Sequence, residues 1–361
     1  MNHGVCAVLI RLIAIMYLNN SSCIRWNSTY SENFNLSNGV KQGGVLSPYL
    51  FSLYLEPLID NLTRSGIGCR MGNVMCNIFV YADDVVLLAP SVKALQNLTR
   101  ICDLYSRDFN LSFNGDKSEI IIFDNNKNIN CNINVYLNTK RLKITTNFCH
   151  LGIVFRKVNG NVNIDMNPVI SDMKVKSNVL NNEFKFLNFE PRVKIFNSHC
   201  LSLYGCPLWN LSNPDVNKLE VAWRKSCRYM LGVSSRTRSK LLPGLMGTQP
   251  IINIIHSRMI NFYINGLNHD NFIINTVFRN ILVGKFSYFR RNINAILRLH
   301  NLNYDLLFEN AKVKFKYKLC DEIGWKHILI KELLRIKENC DTEFILSKLE
   351  LQYILDSVCI E

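Results

Sequence analysis

The chain has 361 residues, of which 48% are hydrophobic, so it can bury one large core or two ordinary ones and is not a disordered protein. Its formal net charge is +14, from 42 Lys and Arg against 28 Asp and Glu spread along the sequence. This excess favours a polyanionic partner. Nucleic acid and an anionic membrane surface both qualify, and a basic protein without such a partner is the plainer alternative.

Thirteen cysteines are scattered through the chain without a single Cys-x-x-Cys pair. This spacing argues against a zinc finger and against a dense disulfide scaffold. We expect free, mostly buried thiols in a reducing compartment, and therefore an intracellular protein of the cytoplasm or the nucleus.

Residues 5–18 form an apolar run where a signal peptide would lie. Arg11 interrupts the run, only His3 precedes it, and no small-residue cleavage pattern follows. The run is also short for a bilayer span. We predict a buried amphipathic helix and no membrane partner; the alternative, a membrane anchor, would make the protein partition into membranes.

The first predicted elements are a helix over residues 5–19 and two short strands over residues 23–26 and 32–36, with a polar turn between the strands. A glycine-rich turn then leads into a second helix, for which Ser47 is the natural N-cap. We expect Pro57 to end or kink that helix.

The next predicted elements give an α+β order. Residues 77–81 and 85–89 are two apolar runs around an acidic pair, which predicts a β-hairpin with a tight turn. A helix follows over residues 91–109, and further strands are predicted over residues 120–123 and 153–155.

The second half of the chain has the apolar spacing of long helices, as in residues 329–335 and 344–355, after a predicted loop over residues 124–134. We therefore divide the chain into an α+β part, residues 1–156, and an α-helical part, residues 157–361.

The acidic pair Tyr81-Ala82-Asp83-Asp84 is the most distinctive chemical feature. Adjacent carboxylates on a hairpin turn can present oxygen ligands to magnesium at a fixed point. In phosphoryl transfer, two such ions clamp the attacking and leaving oxygens. The alternative is a surface hairpin that uses Asp because Asp tolerates turn geometry.

A glycine-rich segment, residues 39–52, lies about forty residues upstream of the acidic turn. Its paired glycines, Gly43 and Gly44, let the backbone approach a polar ligand closely. Lys41 and Gln42 add a cation and an amide that both donates and accepts hydrogen bonds. An ordinary glycine loop before a helix is the alternative.

Downstream, residues 111–119 lead into a predicted strand, and Leu151-Gly152 follows. In this order the four segments resemble reverse transcriptases of non-LTR retrotransposons, of the jockey or LINE type, over about residues 5–155. The resemblance implies a truncated right-hand polymerase palm followed by an α-helical thumb. It also implies an RNA-directed DNA polymerase that acts on an RNA template, a DNA primer and deoxynucleoside triphosphates.

The resemblance further implies roles for individual residues. Asp83 and Asp84 would hold Mg²⁺ or Mn²⁺ for two-metal nucleotidyl transfer, and Lys117 would donate a proton to the pyrophosphate leaving group, although a salt-bridged surface lysine is the alternative. Leu151-Gly152 would support the primer. The residues implied to border template and nucleotide are Lys41, Gln42, Gly43, Gly44 and Tyr81.

A weaker resemblance extends into residues 201–209 and 223–240, which look like the helical thumb. The second of these stretches is rich in cations that suit sequence-indifferent phosphate contacts. Four lysines between 312 and 318 alternate with apolar and aromatic residues, which suits either single strands or a solvated lysine face. The cations of the thumb-like stretch are Arg224, Lys225, Arg228, Arg236, Arg238 and Lys240.

One residue of the family pattern is missing. Relatives carry another aspartate on a palm strand before the glycine-rich segment, whereas no aspartate precedes Asp60 here, and Glu32 is the only acidic residue before Glu56. We therefore expect a truncated enzyme that is inactive or nearly so as this chain, because one ligand of the two-metal site is lost. The alternative is a non-enzymatic nucleic-acid-binding remnant of a mobile element.

Overall fold

The computed structural model describes residues 4–18, 20–36, 38–123, 133–158, 161–283 and 287–308. The chain divides into two compact units, one of Met1–Cys69 with Met75–Phe113 and the other of Arg70–Val74 with Asn114–Glu361. The predicted boundary between residues 156 and 157 stays a prediction.

Short strands and helices alternate in the first half of the described chain, and helices follow, which agrees with the predicted α+β order. In chain order the elements are α1 (Ala7–Tyr17), β1 (Ser21–Ser22), β2 (Arg25–Trp26), β3 (Thr29–Tyr30), β4 (Phe34–Asn35), α2 (Ser47–Arg64), β5 (Arg70–Met71), β6 (Val74–Met75), β7 (Ile78–Tyr81), β8 (Asp84–Leu87), α3 (Val92–Asp108), β9 (Glu119–Ile120), β10 (Tyr136–Leu137), β11 (Lys140–Arg141), β12 (Lys143–Ile144), β13 (Asn147–His150), β14 (Ile153–Val158), β15 (Asn161–Ile164), α4 (Asn167–Glu183), α5 (Phe189–Ile195), α6 (Pro214–Leu231), α7 (Leu242–Leu245), α8 (Ile251–Leu267), α9 (Phe272–Val283) and α10 (Tyr288–Leu299).

The core of the first unit lies between helices α2 and α3. Leu58 and Leu62 of α2 and Leu98 of α3 are completely buried. The hydroxyl of Tyr105 donates to the carbonyl of Tyr54, which joins the two helices by a hydrogen bond as well as by packing. The predicted third helix is confirmed, and Ser91 caps it by accepting a hydrogen bond from the amide of Ala94 at 3.2 Å.

Helix α2 differs from its prediction at both ends. It continues through Pro57 to Arg64, so of the two expected effects of the proline, an end is wrong and a kink stays a prediction. Leu55, Leu58 and Leu62 are buried on both sides of the proline, and burial of about 1.5–3 kcal/mol per leucine outweighs the roughly 3 kcal/mol that an internal proline costs. At the other end Leu46 is the N-cap, and Ser47 is already helical.

The first helix forms as predicted but is not buried. No residue of α1 reaches the buried class, and Val8 and Ile15 are 73% and 66% exposed. The prediction of a buried helix is therefore wrong, because apolar spacing identifies the face to be covered but not the surface that covers it. No helix among the described residues is long and apolar enough to cross a bilayer.

The strands after α1 form two nested antiparallel pairs. β2 pairs with β3, and β1 pairs with β4 outside them. The turn is shorter than the predicted polar turn over residues 27–31, because β3 lies inside that stretch. The chain reverses at Asn27, whose φ of 53° is in the left-handed region that asparagine tolerates.

The second unit begins with small sheets. β9 pairs in parallel with β12, and β13, β14 and β15 form an antiparallel sheet. The predicted strand at residues 153–155 is confirmed as part of β14, whereas the one predicted for residues 120–123 ends at Ile120. Phe148 and Phe155 stack face to face across the β13–β14 ladder, with ring centroids 4.6 Å apart.

Helices α4 to α10 bury one continuous apolar core, so the predicted helical character is confirmed for the described residues from Asn167 onward. It is wrong for residues 157–158 and 161–164, where the end of β14 and the whole of β15 are strands. Trp209, Phe196 and Tyr263 are its largest completely buried side chains. The helices predicted over residues 329–335 and 344–355, the four lysines between 312 and 318 and most of the loop predicted over residues 124–134 lie outside the described residues.

The cysteines are only partly buried. Nine free cysteines are described; Cys6, Cys23 and Cys149 are exposed and Cys69 is half-buried, whereas the other five are buried. Burial raises the pKa of the Cys102 and Cys206 thiols to about 12, so both are neutral at physiological pH. Buried, protonated thiols of this kind are structural rather than reactive.

Candidate functional site

The acidic pair lies at the tip of the β7–β8 hairpin. Tyr81 is opposite Asp84 in the ladder, so Ala82 and Asp83 form a two-residue turn. The predicted tight turn is confirmed, but Asp84, which was expected between the strands, is the first residue of β8. Ala82 has a φ of 50°, which the favoured two-residue hairpin turns require at their first position. Tyr81, Asp83 and Asp84 are exposed, so both carboxylates are accessible to a ligand.

A buried asparagine anchors the base of this hairpin. The amide nitrogen of Asn77 donates to the carbonyl of Leu62 at 2.7 Å and to that of Ile67 at 2.8 Å, which fixes the start of β7 to the end of α2. Gly68 lies against Asn77, because a Cβ built on Gly68 would be 2.2 Å from the Cβ of Asn77. Sequence reasoning missed Asn77, although a polar residue at the start of an apolar run was a visible signal.

The glycine-rich segment forms a tight turn before α2. The amide of Gly44 donates to the carbonyl of Lys41 at 3.0 Å, and Gly43 takes a φ of 75°, as the third position of a type II turn requires. The Ser47 hydroxyl donates to the same carbonyl at 2.5 Å, so it holds the turn instead of capping the helix. Lys41 and Gln42 are exposed on this turn.

Lys117 lies in the second unit, on a turn built around Asn114. The Asn114 side chain accepts hydrogen bonds from the amides of Asp116 and Lys117, at 3.0 and 3.2 Å. The ion pair of this turn joins Asp116 to Lys140. Lys117 is exposed and has no ion pair within the described ranges, so the salt-bridged alternative finds no support.

Leu151 and Gly152 form the two-residue turn of the β13–β14 hairpin. Their φ angles are 49° and 73°, so a leucine occupies a left-handed position that costs roughly 1–3 kcal/mol. A Cβ built on Gly152 would contact the ring of Tyr204 at 3.8 Å, and one built on Gly205 would overlap Ile153 at 2.9 Å. The turn therefore packs closely against residues 204–205, which sequence reasoning placed in the thumb-like stretch but did not link to it.

The cations of the thumb-like stretch fall into two groups. Arg228 is half-buried and bonded within the protein: its guanidinium donates to the carbonyl of Thr237 at 2.9 Å and to the hydroxyl of Ser239 at 2.8 Å. Arg224 lies 3.7 Å from Glu220, one turn earlier on α6, so its charge is partly offset by a residue outside the predicted stretch. The exposed members are Lys225, Arg236, Arg238 and Lys240.

The donor set at the acidic turn suits a hard divalent cation only in part. Two carboxylates can hold one Mg²⁺ that keeps waters and takes substrate phosphate oxygens. Within the described residues, no three His, Cys, Asp or Glu side chains gather around one point. Asp83 and Asp84 therefore fit one ion, and a two-ion clamp requires more carboxylates than this turn supplies.

A model of a known protein family matches about half of the chain. The model of the family described as reverse transcriptase (RNA-dependent DNA polymerase) matches residues 7–189, which is about half of the chain and includes every predicted site residue. The basic stretch of α6 and the loop after it lies beyond the matched range.

Two curated relatives are similar over shorter stretches. A Pol polyprotein of the type-2 retrotransposable element R2DM from Drosophila melanogaster is 46% identical over 68 residues, 19% of this chain and 6% of that protein. A Pol polyprotein of the type-1 retrotransposable element R2 from Popillia japonica is 35% identical over 81 residues, 22% of this chain and 11% of that protein. The matched stretches are thus small parts of much longer relatives.

Proposed function

We propose that this chain, which belongs to the reverse transcriptase family, binds an RNA template annealed to a DNA primer. Its relatives confirm the resemblance to reverse transcriptases of non-LTR retrotransposons. We further propose that the turn of the β7–β8 hairpin is the catalytic end of an RNA-directed DNA polymerase. The exposed pair Asp83 and Asp84, at the tip of a hairpin anchored by Asn77, is the observation that carries this proposal.

Asp83 and Asp84 would hold Mg²⁺ or Mn²⁺, whose charge neutralises the phosphate oxygens of the incoming deoxynucleoside triphosphate. The hairpin holds the two carboxylates in place, because its strand pairing and the two hydrogen bonds of Asn77 fix the turn before any ligand binds. Preorganised charge of this kind needs little rearrangement during the reaction. Tyr81, exposed beside the pair, would border the template or the nucleotide.

The remaining site residues have distinct proposed tasks. Lys41, Gln42, Gly43 and Gly44 form a turn whose exposed side chains and bare backbone can approach a nucleotide. Lys117 would donate a proton to departing pyrophosphate. The Leu151-Gly152 turn would support the primer, and residues 157–361 would act as a thumb whose exposed cations contact phosphates.

A non-enzymatic alternative has its own supporting observation. The described residues do not bring a third carboxylate to the acidic turn, and no aspartate precedes Asp60 in the sequence. The net charge of +14 supports nucleic-acid binding whether or not the site is complete. We therefore propose that these 361 residues by themselves extend primers weakly or not at all while they retain template and primer.

Primer extension on an annealed RNA template and DNA primer, with Mg²⁺ or Mn²⁺, tests both functions. The wild-type chain is compared with the double variant Asp83→Asn, Asp84→Asn and with Asp108→Asn, an exposed aspartate at the end of α3. If the double variant alone loses primer extension, the chain is a polymerase, and the proposal that its metal site is incomplete is refuted. No extension, with duplex retained at low salt, supports the binding remnant; no retention by any variant refutes both.

A further inference from the structure

A group of exposed aromatic rings and cations lies in the second unit, where α4 and α6 end. Phe186 is 75% exposed, Tyr229 is 53% exposed and Phe184 is 39% exposed. Four exposed cations accompany the rings, one of them between the two phenylalanines. The members of this aromatic–basic surface are Phe184, Lys185, Phe186, Lys225, Tyr229, Arg236 and Arg238.

Hydrogen bonds hold the ends of α4 and α6 together. The hydroxyl of Tyr229 donates to the side-chain oxygen of Asn182 at 3.1 Å. The buried guanidinium of Arg192 donates to the side-chain oxygen of Asn181 at 2.8 Å and to a carbonyl in the last turn of α6 at 3.4 Å. Phe184 follows Asn182 by two residues, so the tyrosine and the phenylalanines lie at the same end of this helix pair.

The loop after α6 brings its cations to the same end. Arg228 donates to the carbonyl of Thr237 and to the hydroxyl of Ser239, which ties this loop to the last turn of α6. Thr237 is buried, whereas Arg236 and Arg238 on either side of it are exposed. Both arginines are therefore presented beside the turn that carries the tyrosine ring.

The aromatic–basic surface carries excess positive charge. Lys225 precedes Tyr229 by four residues on α6, so the two side chains share one helix face. The ion pairs of α4, α5 and α6 within the described ranges join other residues, so they leave the four cations of the surface uncompensated. One acidic residue, Glu183, directly precedes the phenylalanines. The cations exceed it by three, and a polyanion complements such a surface.

The rings leave faces open for stacking. The ring centroids of Phe184 and Phe186 are 6.1 Å apart and their planes are inclined by 37°, so the two rings do not stack on each other. A nucleobase that stacks on an exposed ring removes two apolar faces from water. This contact tolerates any base, because every base has a flat π-face.

From this combination we infer that the aromatic–basic surface binds an unpaired, single-stranded segment of nucleic acid. Bases would stack on Phe184, Phe186 and Tyr229, and the phosphates between them would pair with the four cations. A duplex keeps its base faces inside its own stack, so it could use only the cations. The inference rests on the proposed nucleic-acid binding and adds to it a preference for a strand that is not base-paired.

Binding of two fluorescein-labelled probes at low salt tests the inference. One probe is a short, unstructured single-stranded RNA, and the other is the same RNA annealed to a complementary DNA. Phe186→Leu keeps an apolar side chain but removes the ring, so single-strand binding should weaken about tenfold. Duplex binding should stay within about twofold of the wild-type value, because the cations are unchanged.

Tyr229 needs two substitutions, because its hydroxyl also holds Asn182. Tyr229→Phe keeps the ring and should bind the single strand as the wild-type chain does. Tyr229→Leu removes the ring and should bind it about tenfold more weakly. Equal losses for the two variants would overturn the assignment of Tyr229 as a stacking residue, because the hydroxyl alone would then account for the effect.

Phe272→Leu is the matched control. Phe272 begins α9 and is 72% exposed, nearly as much as Phe186, but the nearest charged residue before it is Asp270. Its replacement should leave the binding of both probes unchanged. Phe186→Tyr, which retains a ring at the tested position, should bind the single strand like the wild-type chain.

The outcomes separate this inference from the proposed function. Losses confined to the single strand in Phe186→Leu and Tyr229→Leu support it. Equal losses for both probes, or none, overturn it while the proposed nucleic-acid binding stands. If the wild-type chain binds neither probe, the proposed function fails as well. Phosphatidylserine vesicles that then bind the wild-type chain but not Phe186→Leu would assign the surface to an anionic membrane and overturn the inference.

Discussion

The ring nitrogens His256 Nδ1 and His300 Nε2 lie 3.0 Å apart, and this contact joins the middle of α8 to the end of α10. His256 is 5% exposed. Burial, with a smaller contribution from His300, lowers the pKa of His256 to about 4, and burial also lowers the pKa of His300. One nitrogen must donate and the other accept, so the pair cannot hold protons on all four nitrogens.

This pair predicts that the second unit loses stability in acid. Because the pKa of His256 is lowered in the folded protein, the unfolded chain binds a proton at a higher pH than the folded chain does. The free energy of unfolding is therefore highest above about pH 6.5 and decreases as the pH falls towards 4. A shift of this size corresponds to about 3 kcal/mol. Urea unfolding between pH 7.5 and 4.5 should show the loss, and His256→Asn should reduce it.

The matched control is His199→Gln, which replaces an exposed histidine and should keep the wild-type pH dependence. If His256→Asn loses stability in acid as steeply as the wild-type chain, the His256–His300 pair is not the cause.

Gly68→Ala should detach the base of the β7–β8 hairpin. The new Cβ would meet Asn77 Cβ at 2.2 Å and the Leu88 carbonyl oxygen at 3.0 Å, at a φ of +126°. Overpacking and backbone strain together should cost about 2–5 kcal/mol. The matched variant Gly66→Ala also has a positive φ but meets nothing within 4 Å, so it should cost only about 1 kcal/mol. Thermal unfolding that shows equal losses for both would contradict this account.

Arg228 and Arg236 should behave differently although both lie in the basic stretch. Arg228→Gln loses the bonds to Thr237 and Ser239 and should destabilise the second unit by about 2 kcal/mol. Arg236→Gln removes an exposed charge, so it should leave stability unchanged within about 0.5 kcal/mol. It should instead weaken duplex binding and lower the salt slope by about 1. Salt titrations that show the same slope as the wild-type chain would remove Arg236 from the proposed phosphate-binding surface.

Thr248→Val should stabilise the free protein. Valine has the shape of threonine and removes a buried hydroxyl that has no protein partner, so a gain of about 1 kcal/mol is expected. Thr99→Val is the opposite case, because the Thr99 hydroxyl donates to the Gln96 carbonyl at 3.0 Å and its removal should cost about 1 kcal/mol. Urea midpoints that fall for both variants would show that the Thr248 hydroxyl has a structural partner.

The sequence by itself determined the local elements around the acidic turn. The hairpin and α3 follow from patterns that act over a few residues: two short apolar runs around a turn, and a serine cap followed by apolar residues three and four apart. The place of the acidic pair at the tip follows as well, because the pair lies between the two apolar runs; the exact division, with Asp83 in the turn and Asp84 at the start of β8, was not predicted. The family resemblance also rests on local segments, of which the acidic turn is one and residues 39–52, residues 111–119 and Leu151-Gly152 are the others.

Only the tertiary structure decided which surfaces are covered and which polar atoms find partners. The spacing of α1 predicted a buried helix that is exposed, and Pro57 did not stop α2 because leucines on both sides of it are buried. The anchoring bonds of Asn77 reach residues 10 and 15 positions earlier in the chain, and the contact between His256 and His300 joins residues 44 positions apart. The free energy of burial and of hydrogen bonding depends on those distant neighbours, so no local pattern could reveal them.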